Sequence, residues 1–512
     1  MNDTLKKLIK FCNEHTNIYL YGAGKIGSAY YHILKEQGIR IKGVVTTYGG
    51  EELEGIKCQK AEDVIWNDDP HIGIILSVKE QLQTEIQKQY SFKCDVFALS
   101  QLEFGELCAS FYQKILSEIN KNNPLCKTLS EDRFISLNIK NILVVQLEAT
   151  FGDMLWSTAF LRELRRNYVT SKITLVVNSK FFSIYANCKY IDHIISYNCI
   201  HLLDMLSNDM VEYTRDEGKE IFTNQYDIVF LPRHLPLTIS DAWENVIIAM
   251  LSSAKYRVAH GIGISTAEQL RCNVIGDFFS KVVIHTCGMH EVKYELEMIK
   301  SIGGVINDER MEIWLSNDDY KKARLQMQDE RKCYISVALV GSEEKRSLDP
   351  QKYNNVFKRI LKKYNDMVRF ILCGGADCIA AGEIAKKDID NACIDLIDKT
   401  TLLEAAAAID LSTFFLGSDT GLMHFASALG KPVIEVSASI QNAPDYWGCS
   451  PVRTGPWYVP NIVLRPSTGL NGCKYMCAMK FRHCIEQISE KQLEEAICEM
   501  IDSFYLCNNY TG

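Results

Sequence analysis

Short runs of isoleucine and valine alternate with helix-period segments along nearly the whole chain, and this alternation limits the fold more than any other feature. Runs so short, flanked by helical segments, read as strands buried on both faces of a parallel sheet, with the helices as crossovers. The expected class is α/β. At 512 residues the chain exceeds a single core, since domains run at roughly 100–200 residues each.

Three series of strands emerge. The first has candidates at Ile18–Tyr21, Ile41–Thr46, Ile72–Val78 and Asp95–Ala98, with a helix starting near Lys25. A polar, helical stretch from Leu102 to Ser136 reads as a connector. The second series runs through Ile142–Gln146, Ile173–Val177, His193–Tyr197, Tyr226–Leu231 and Tyr256–Ala259, and its last helix, Val292–Ile299, stops at Gly303-Gly304. The third comprises Tyr334–Leu339, Val368–Cys373, Cys393–Ile397, Thr413–Leu416 and Val433–Val436, with a terminal amphipathic helix over Glu486–Tyr505. The expected organisation is a Rossmann-like module at 1–105, a connector at 106–138, and Rossmann-like domains at 139–310 and 311–512.

Lysine and arginine are spread along a chain of net charge −8, so no basic stripe is present to track a nucleic-acid backbone. The longest apolar runs, such as Val246–Leu251, fall far short of the ~20 residues that cross a bilayer, and Met1-Asn2-Asp3 does not open a signal peptide. A cytoplasmic protein is expected. The 19 cysteines are scattered along a long chain, which suits reduced, buried thiols better than a disulfide framework.

Three strand-to-helix turns carry candidate chemistry. Gly22-Ala23-Gly24-Lys25-Ile26-Gly27 is a GxGxxG in which Gly22, Gly24 and Gly27 permit a tight turn and close backbone approach to a phosphate. The second strand ends in Val44-Val45-Thr46-Thr47, without the acid that holds a dinucleotide ribose. The motif therefore fits simple strand–helix packing in a structural or sugar-nucleotide-sensing module better than NAD binding. Phe151-Gly152-Asp153-Met154 places a carboxylate at the C-terminal edge of a sheet, where it serves either as a general base or as a helix cap. Gly417-Ser418-Asp419-Thr420-Gly421-Leu422-Met423-His424 offers Asp419, Thr420 and the amides of Gly421 and Leu422 to a diphosphate, with His424 a turn further on; a Ser/Asp cap over a packed histidine fits equally.

The segments ILVVQLEATFGDMLWSTAFLRELRR and LLEAAAAIDLSTFFLGSDTGLMHFASALGKPVI together resemble the two signature regions of the bacterial heptosyltransferases, glycosyltransferase family nine, in order and separation. The likeness continues through Tyr226–Val229, Met289–Val292, Phe370–Gly375, Trp447 and Cys484–Ile488, covering roughly residues 140–505. It implies a GT-B architecture of two Rossmann-like domains, here with a small extra N-terminal one, and a metal-independent, inverting transferase that needs no cofactor. Asp153 matches the family's base, and Asp419, Thr420, Gly421 and His424 match its donor-binding loop. Lys345 or Arg346 fits its basic position, and Asp377, after Cys373-Gly374-Gly375, is a candidate for the ribose hydroxyls. The donor implied is a nucleoside diphosphate sugar, ADP-heptose or a relative. The acceptor implied is a cell-envelope saccharide, lipid-linked as in lipopolysaccharide synthesis, or a protein.

Departures from the family leave donor and acceptor open. One extra residue precedes Gly152-Asp153, Gln146 stands where a basic residue is common, and Ser347-Leu348-Asp349-Pro350 replaces Trp-Pro. Arg162, Arg165, Arg166 and Tyr168 suit either an ordinary exposed helix face or peripheral contact with an inner membrane. Cys473, Cys477 and Cys484, with His483 beside the last and Cys449 upstream, resemble a cysteine-containing tail of the family. Three or four such thiolates could bind zinc or iron, but their spacing lacks the paired Cys-x₂-Cys of a strong metal site, so packed or free thiols are the expected reading and Cys473, Cys477 and Cys484 only weak metal candidates. Two other readings remain: an NAD-dependent nucleotide-sugar oxidoreductase or epimerase working at the GxGxxG, and a non-catalytic scaffold.

Overall fold

The computed structural model describes residues 3–63, 71–78, 80–90, 94–122, 138–147, 150–197, 219–233, 243–263, 275–329, 331–364, 367–470, 472–479 and 481–506. The C-terminal part of the expected connector, 123–136, lies outside them. The chain divides into two compact units, Met1–Leu129 with Tyr197–Ile284, and Ser130–Ser196 with His285–Gly512. Among the described residues no helix is long and apolar enough to cross a membrane.

The first unit opens with a parallel sheet whose spatial order is Gln59–Lys60, Gly43–Thr46, Asn17–Tyr21, Ile72–Leu76 and Asp95–Phe97. Gly43–Thr46 and Ile72–Leu76 are buried at every residue, as strands covered by helices on both faces must be. Gly22 and Gly27 are fixed by packing. A Cβ on Gly27 would meet the Gly22 carbonyl oxygen at 2.2 Å, and one on Gly22 would meet the Ser77 oxygen at 2.7 Å. Around Gly24 there is open space.

The described part of the helical stretch read as a connector is the helix Gln101–Asn122, which lies against Asp3–Glu14 and Trp243–Leu251. Arg257, fully buried in the strand Tyr256–Ile262, explains part of this attachment: its guanidinium donates to the Phe278 carbonyl at 3.2 Å and to Asn120 Oδ1 at 3.4 Å.

In the second unit, Asn141–Gln146 pairs in parallel with Lys172–Asn178. A six-stranded parallel sheet follows, in the order Cys393–Asp395, Val368–Leu372, Cys333–Ala338, Phe414–Ser418, Val433–Val436 and Asn461–Leu464. Its core joins Ile335, Val337 and Leu416 to Phe357, which stacks on Phe370 with ring centroids 3.8 Å apart, and to Ile497 of the C-terminal helix Glu490–Ile501. That helix starts at a Ser489/Gln492 capping box.

The helix Phe151–Asn167 packs against both Glu291–Ser301 and Gly421–Ala428. Being enclosed, it buries even Arg162, which reaches Glu312 at 2.8 Å and the carbonyls of Asp308 and Arg310. Arg165 pairs with Asp192 and Arg166 with Glu163, both at 2.5 Å. Arg162 is therefore an internal anchor, a correction to its reading as part of an exposed helix face, whereas Arg166 remains exposed.

Gly27→Ala should destabilise the chain by about 1–3 kcal/mol, the usual cost of forcing a methyl into packed backbone, whereas Gly24→Ala should be nearly neutral. Thermal unfolding of the two variants beside the parent checks this, and equal behaviour of the two would contradict it.

Candidate functional site

The six-stranded sheet has its topological switch point between Cys333–Ala338 and Phe414–Ser418. The chain leaves the first of these strands toward Val368–Leu372 on one side and returns on the other. Ligands of open α/β sheets bind beyond the carboxyl ends of strands at such a point. Two turns meet there: Val340–Ser347 after the first strand and Asp419–Gly421 after the second.

Thr420 is the N-cap of the helix Gly421–Ala428, yet its side chain makes no capping bond. Neither Ser418 nor Asp419 supplies one in its place, so the simple capping reading of this turn fails. Ser418 Oγ, Thr420 Oγ1 and His424 Nδ1 are all buried and have no hydrogen-bond partner among the described residues. Buried polar atoms left unpaired are costly, so two hydroxyls and an imidazole nitrogen together beside first-turn amides mark a place built for an acceptor-rich ligand.

Arg346 completes the cradle. Its guanidinium pairs with the Asp419 carboxylate and reaches the Asp419 carbonyl at 3.4 Å, while Nη1 donates to Ser342 Oγ at 3.0 Å. The turn is tight enough that a Cβ on Gly341 would lie 2.9 Å from Arg346 Cβ. Lys345 pairs with Glu343 at 3.1 Å, so of the two cations Arg346 is the one tied to the Asp419 turn.

The first signature comes directly onto this turn. A Cβ on Gly152 would lie 2.5 Å from His424 Cδ2, and one on Gly421 would lie 3.0 Å from Phe151 Cβ. Glycine is required at 152 because the imidazole occupies the side-chain position. Asp153 stands half-exposed at the third position of its helix, whose N-cap is Thr150, so it is not the cap. A carboxylate in a first turn is favoured by the helix dipole. Gln146 Nε2 donates to the Asp153 carbonyl at 3.5 Å.

His424 is 4% exposed, and its pKa is lowered by burial, against the opposing pull of Asp419 and Asp153. It is thus a neutral imidazole, edge-on to Trp156 at 5.3 Å and 3.9 Å from Asp419 through Nε2. Behind it His290 stacks on Trp457 at 4.2 Å. Burial brings the His290 pKa down to about 3. Its Nδ1 accepts from the Val292 amide and its Nε2 donates to the Gly455 carbonyl at 3.1 Å, so its role is to hold the wall.

Glu435 was not singled out in the sequence. It lies fully buried in Val433–Val436, in register with Gly417, and burial with the neighbouring Asp419 charge pushes its pKa up to about 8. A carboxyl kept protonated near neutrality is a hydrogen-bond donor. The one available signal was an acid inside an otherwise apolar strand, Val433-Ile434-Glu435-Val436.

Other candidates lie apart. Asp377 is exposed in the turn after Val368–Leu372, where a Cβ on Gly374 would meet Cys378 Sγ at 2.5 Å. In the N-terminal module Ser77 Oγ donates to the Gly22 carbonyl at 3.0 Å and Thr47 pairs with the Tyr21 hydroxyl at 3.0 Å. Cys473, Cys477 and Cys484 come together with His483.

Residues 239–470 match the model of glycosyltransferase family 9 (heptosyltransferase), a span that takes in the Asp419 turn and begins after Asp153. Lipopolysaccharide heptosyltransferase 3 of Escherichia coli K12 is 23% identical over 300 residues, covering 56% of this chain and 79% of that protein. Among solved structures, the glycosyl transferase family 9 protein of Veillonella parvula DSM 2008 superposes with a TM-score of 0.57 at 17% identity, over 71% of this chain and 98% of that one. The E. coli ADP-heptose LPS heptosyltransferase II gives 0.51 at 16% identity, over 70% and 98%. The E. coli heptosyltransferase WaaC with ADP gives 0.51 at 17%, over 70% and 99%. The fold class is accordingly α/β of the GT-B type.

Because the native state holds a proton on Glu435 that an unfolded chain releases at an ordinary glutamate pKa of 4.5, stability should fall as pH rises from there toward about 8. Glu435→Gln removes that dependence. Its unfolding temperature relative to the parent should climb across this window and level off above it, and parallel curves would contradict the assignment.

Proposed function

We propose that the chain is a transferase of the glycosyltransferase family 9 kind, which moves a sugar from a nucleoside diphosphate donor to an acceptor hydroxyl with inversion, a reading supported by the family match over 239–470 and the shared fold. The observation that carries this reading is the packing of His424 on Gly152 beside three unpaired buried polar atoms, which sets a first-turn carboxylate next to an anion cradle.

In this reading the acceptor oxygen attacks the anomeric carbon while Asp153 takes the hydroxyl proton. The bond from the anomeric carbon to the phosphate oxygen breaks on the opposite face, so the configuration inverts. Charge gathering on the departing diphosphate is met by the amides of Gly421 and Leu422, the hydroxyls of Ser418 and Thr420, and Arg346. These groups supply the electrophilic assistance from protein alone, and the transfer needs no metal. Neutral His424 acts as a hydrogen-bonding wall to the sugar, and Asp377 with Gly374 is the proposed contact for the nucleoside ribose. Lys345 is the second cation available to the phosphates.

Residues 311–512 would bind the donor and 139–310 the acceptor, with 1–105 a non-catalytic module joined through 106–138. The donor proposed is ADP-heptose or a relative, in line with solved relatives described as an ADP-heptose enzyme and as holding ADP. The acceptor proposed is a saccharide of the cell envelope, lipid-linked as in lipopolysaccharide, or a protein, reached from the cytoplasm with at most peripheral membrane contact.

Asp153→Asn should lose at least ~100-fold in nucleoside diphosphate release, the scale of a lost general base, with donor affinity unchanged. Arg346→Ala should weaken nucleoside diphosphate binding about tenfold or more, because it removes a charge-assisted contact and leaves Asp419 facing an anion. Initial rates and a binding titration on the same preparations separate the two effects. An unchanged rate in Asp153→Asn would remove that residue from the role.

A further inference from the structure

Away from the transfer site, the loop between the strand Asn461–Leu464 and the C-terminal helix gathers three cysteines and a histidine. Cys473, Cys477 and Cys484 are buried, and His483 turns its Nδ1 toward all three. Nδ1 lies 3.7 Å from Cys473 Sγ, 3.6 Å from Cys477 Sγ and 3.5 Å from Cys484 Sγ, with the first two sulfurs 4.0 Å apart. All four atoms fall within 4.8 Å of one another.

Those separations are the edges of a coordination tetrahedron. Metal–sulfur bonds of about 2.3 Å and metal–nitrogen bonds of about 2.0–2.1 Å at tetrahedral angles put sulfurs about 3.8 Å apart and sulfur and nitrogen about 3.6 Å apart. The sulfurs are too far apart to be disulfide-bonded, and every described cysteine is free.

The loop is also shaped for this convergence. Gly472 has φ +84°, and a Cβ on Gly469 would meet the Cys473 carbonyl oxygen at 2.2 Å, so the chain turns tightly just before the first ligand. The Ala478 amide donates to Cys473 Sγ at 3.3 Å, the kind of outer hydrogen bond that orients a thiolate ligand. Ile440, Leu470 and Met479 pack with the three cysteines in one small apolar cluster.

The geometry points to a structural metal site in which Cys473, Cys477, Cys484 and His483 hold one thiolate-binding transition-metal ion, zinc or iron. Four protein ligands close the tetrahedron and leave no open position, so the ion braces the fold and takes no part in transfer. What it braces is next to the cradle. The Ile440 amide donates to the Tyr475 carbonyl at 3.3 Å, Trp447 meets Tyr475 ring to ring at 5.7 Å, and Arg482 pairs at 3.5 Å with Glu344, two residues before Arg346. The assignment rests on none of the steps proposed for catalysis.

The test is elemental analysis of the full chain purified without chelators, where about one zinc or iron per chain is expected, as for other closed thiolate–imidazole sites. Zinc would leave the protein colourless and iron would give visible sulfur-to-metal absorption; either supports the site. The double variant Cys477→Ala/Cys484→Ala should lose the metal. His483→Cys should keep it, because four thiolates form an equivalent set, and so should Cys287→Ala, an exposed thiol outside the cluster. A parent chain with less than ~0.1 equivalent of any transition metal and no uptake of cobalt(II) would overturn the proposal, as would metal retained by the double variant. The parent's own metal content decides the matter even if a variant fails to fold.

Discussion

Everything proposed for the transfer site depends on one contact, the imidazole of His424 lying where the side chain of residue 152 would be. Glycine at 152 is what lets two helix starts, Phe151 and Gly421, come together, with a would-be Cβ at Gly421 only 3.0 Å from Phe151. Their partial positive ends then converge on one region. A carboxylate sits half-exposed on one of them, and unpaired hydroxyls line the other.

The charges there are arranged so that each has an answer. Arg346 is held by Asp419, so an incoming diphosphate meets a guanidinium already positioned and need not order it. Glu435, behind the same turn, is spared a buried negative charge by keeping its proton, and His424 is spared a buried positive one by burial itself. The region therefore carries little net charge when empty and tolerates the arrival of an anion.

Much of this was legible in the residues. Strands such as Ile72–Leu76 and Cys333–Ala338 fall where apolar runs placed them, because strands covered on both faces are mostly apolar. Lys281–His285 and Asn461–Leu464 did not stand out, and their residues are mostly half-buried, so their sequences carry no continuous apolar signal. The glycine and polar residues of the two turns were readable, whereas the contact between Gly152 and His424 depends on tertiary packing. Glu435 and Arg162 escaped for a related reason: a charge in sequence looks exposed until its partners and its covering helices are known. The cysteine ligands lacked paired spacing, and only the turn at Gly469–Gly472 brings them to a common point.

The most direct measurement is amide hydrogen exchange on the intact chain with and without ADP. Slowed exchange at 341–346 and 419–424, with 22–27 unchanged, is the predicted result, because the nucleotide would cap the amides at the sheet's switch point. Protection confined to 22–27, or none at 419–424 under saturating nucleotide, would contradict the account.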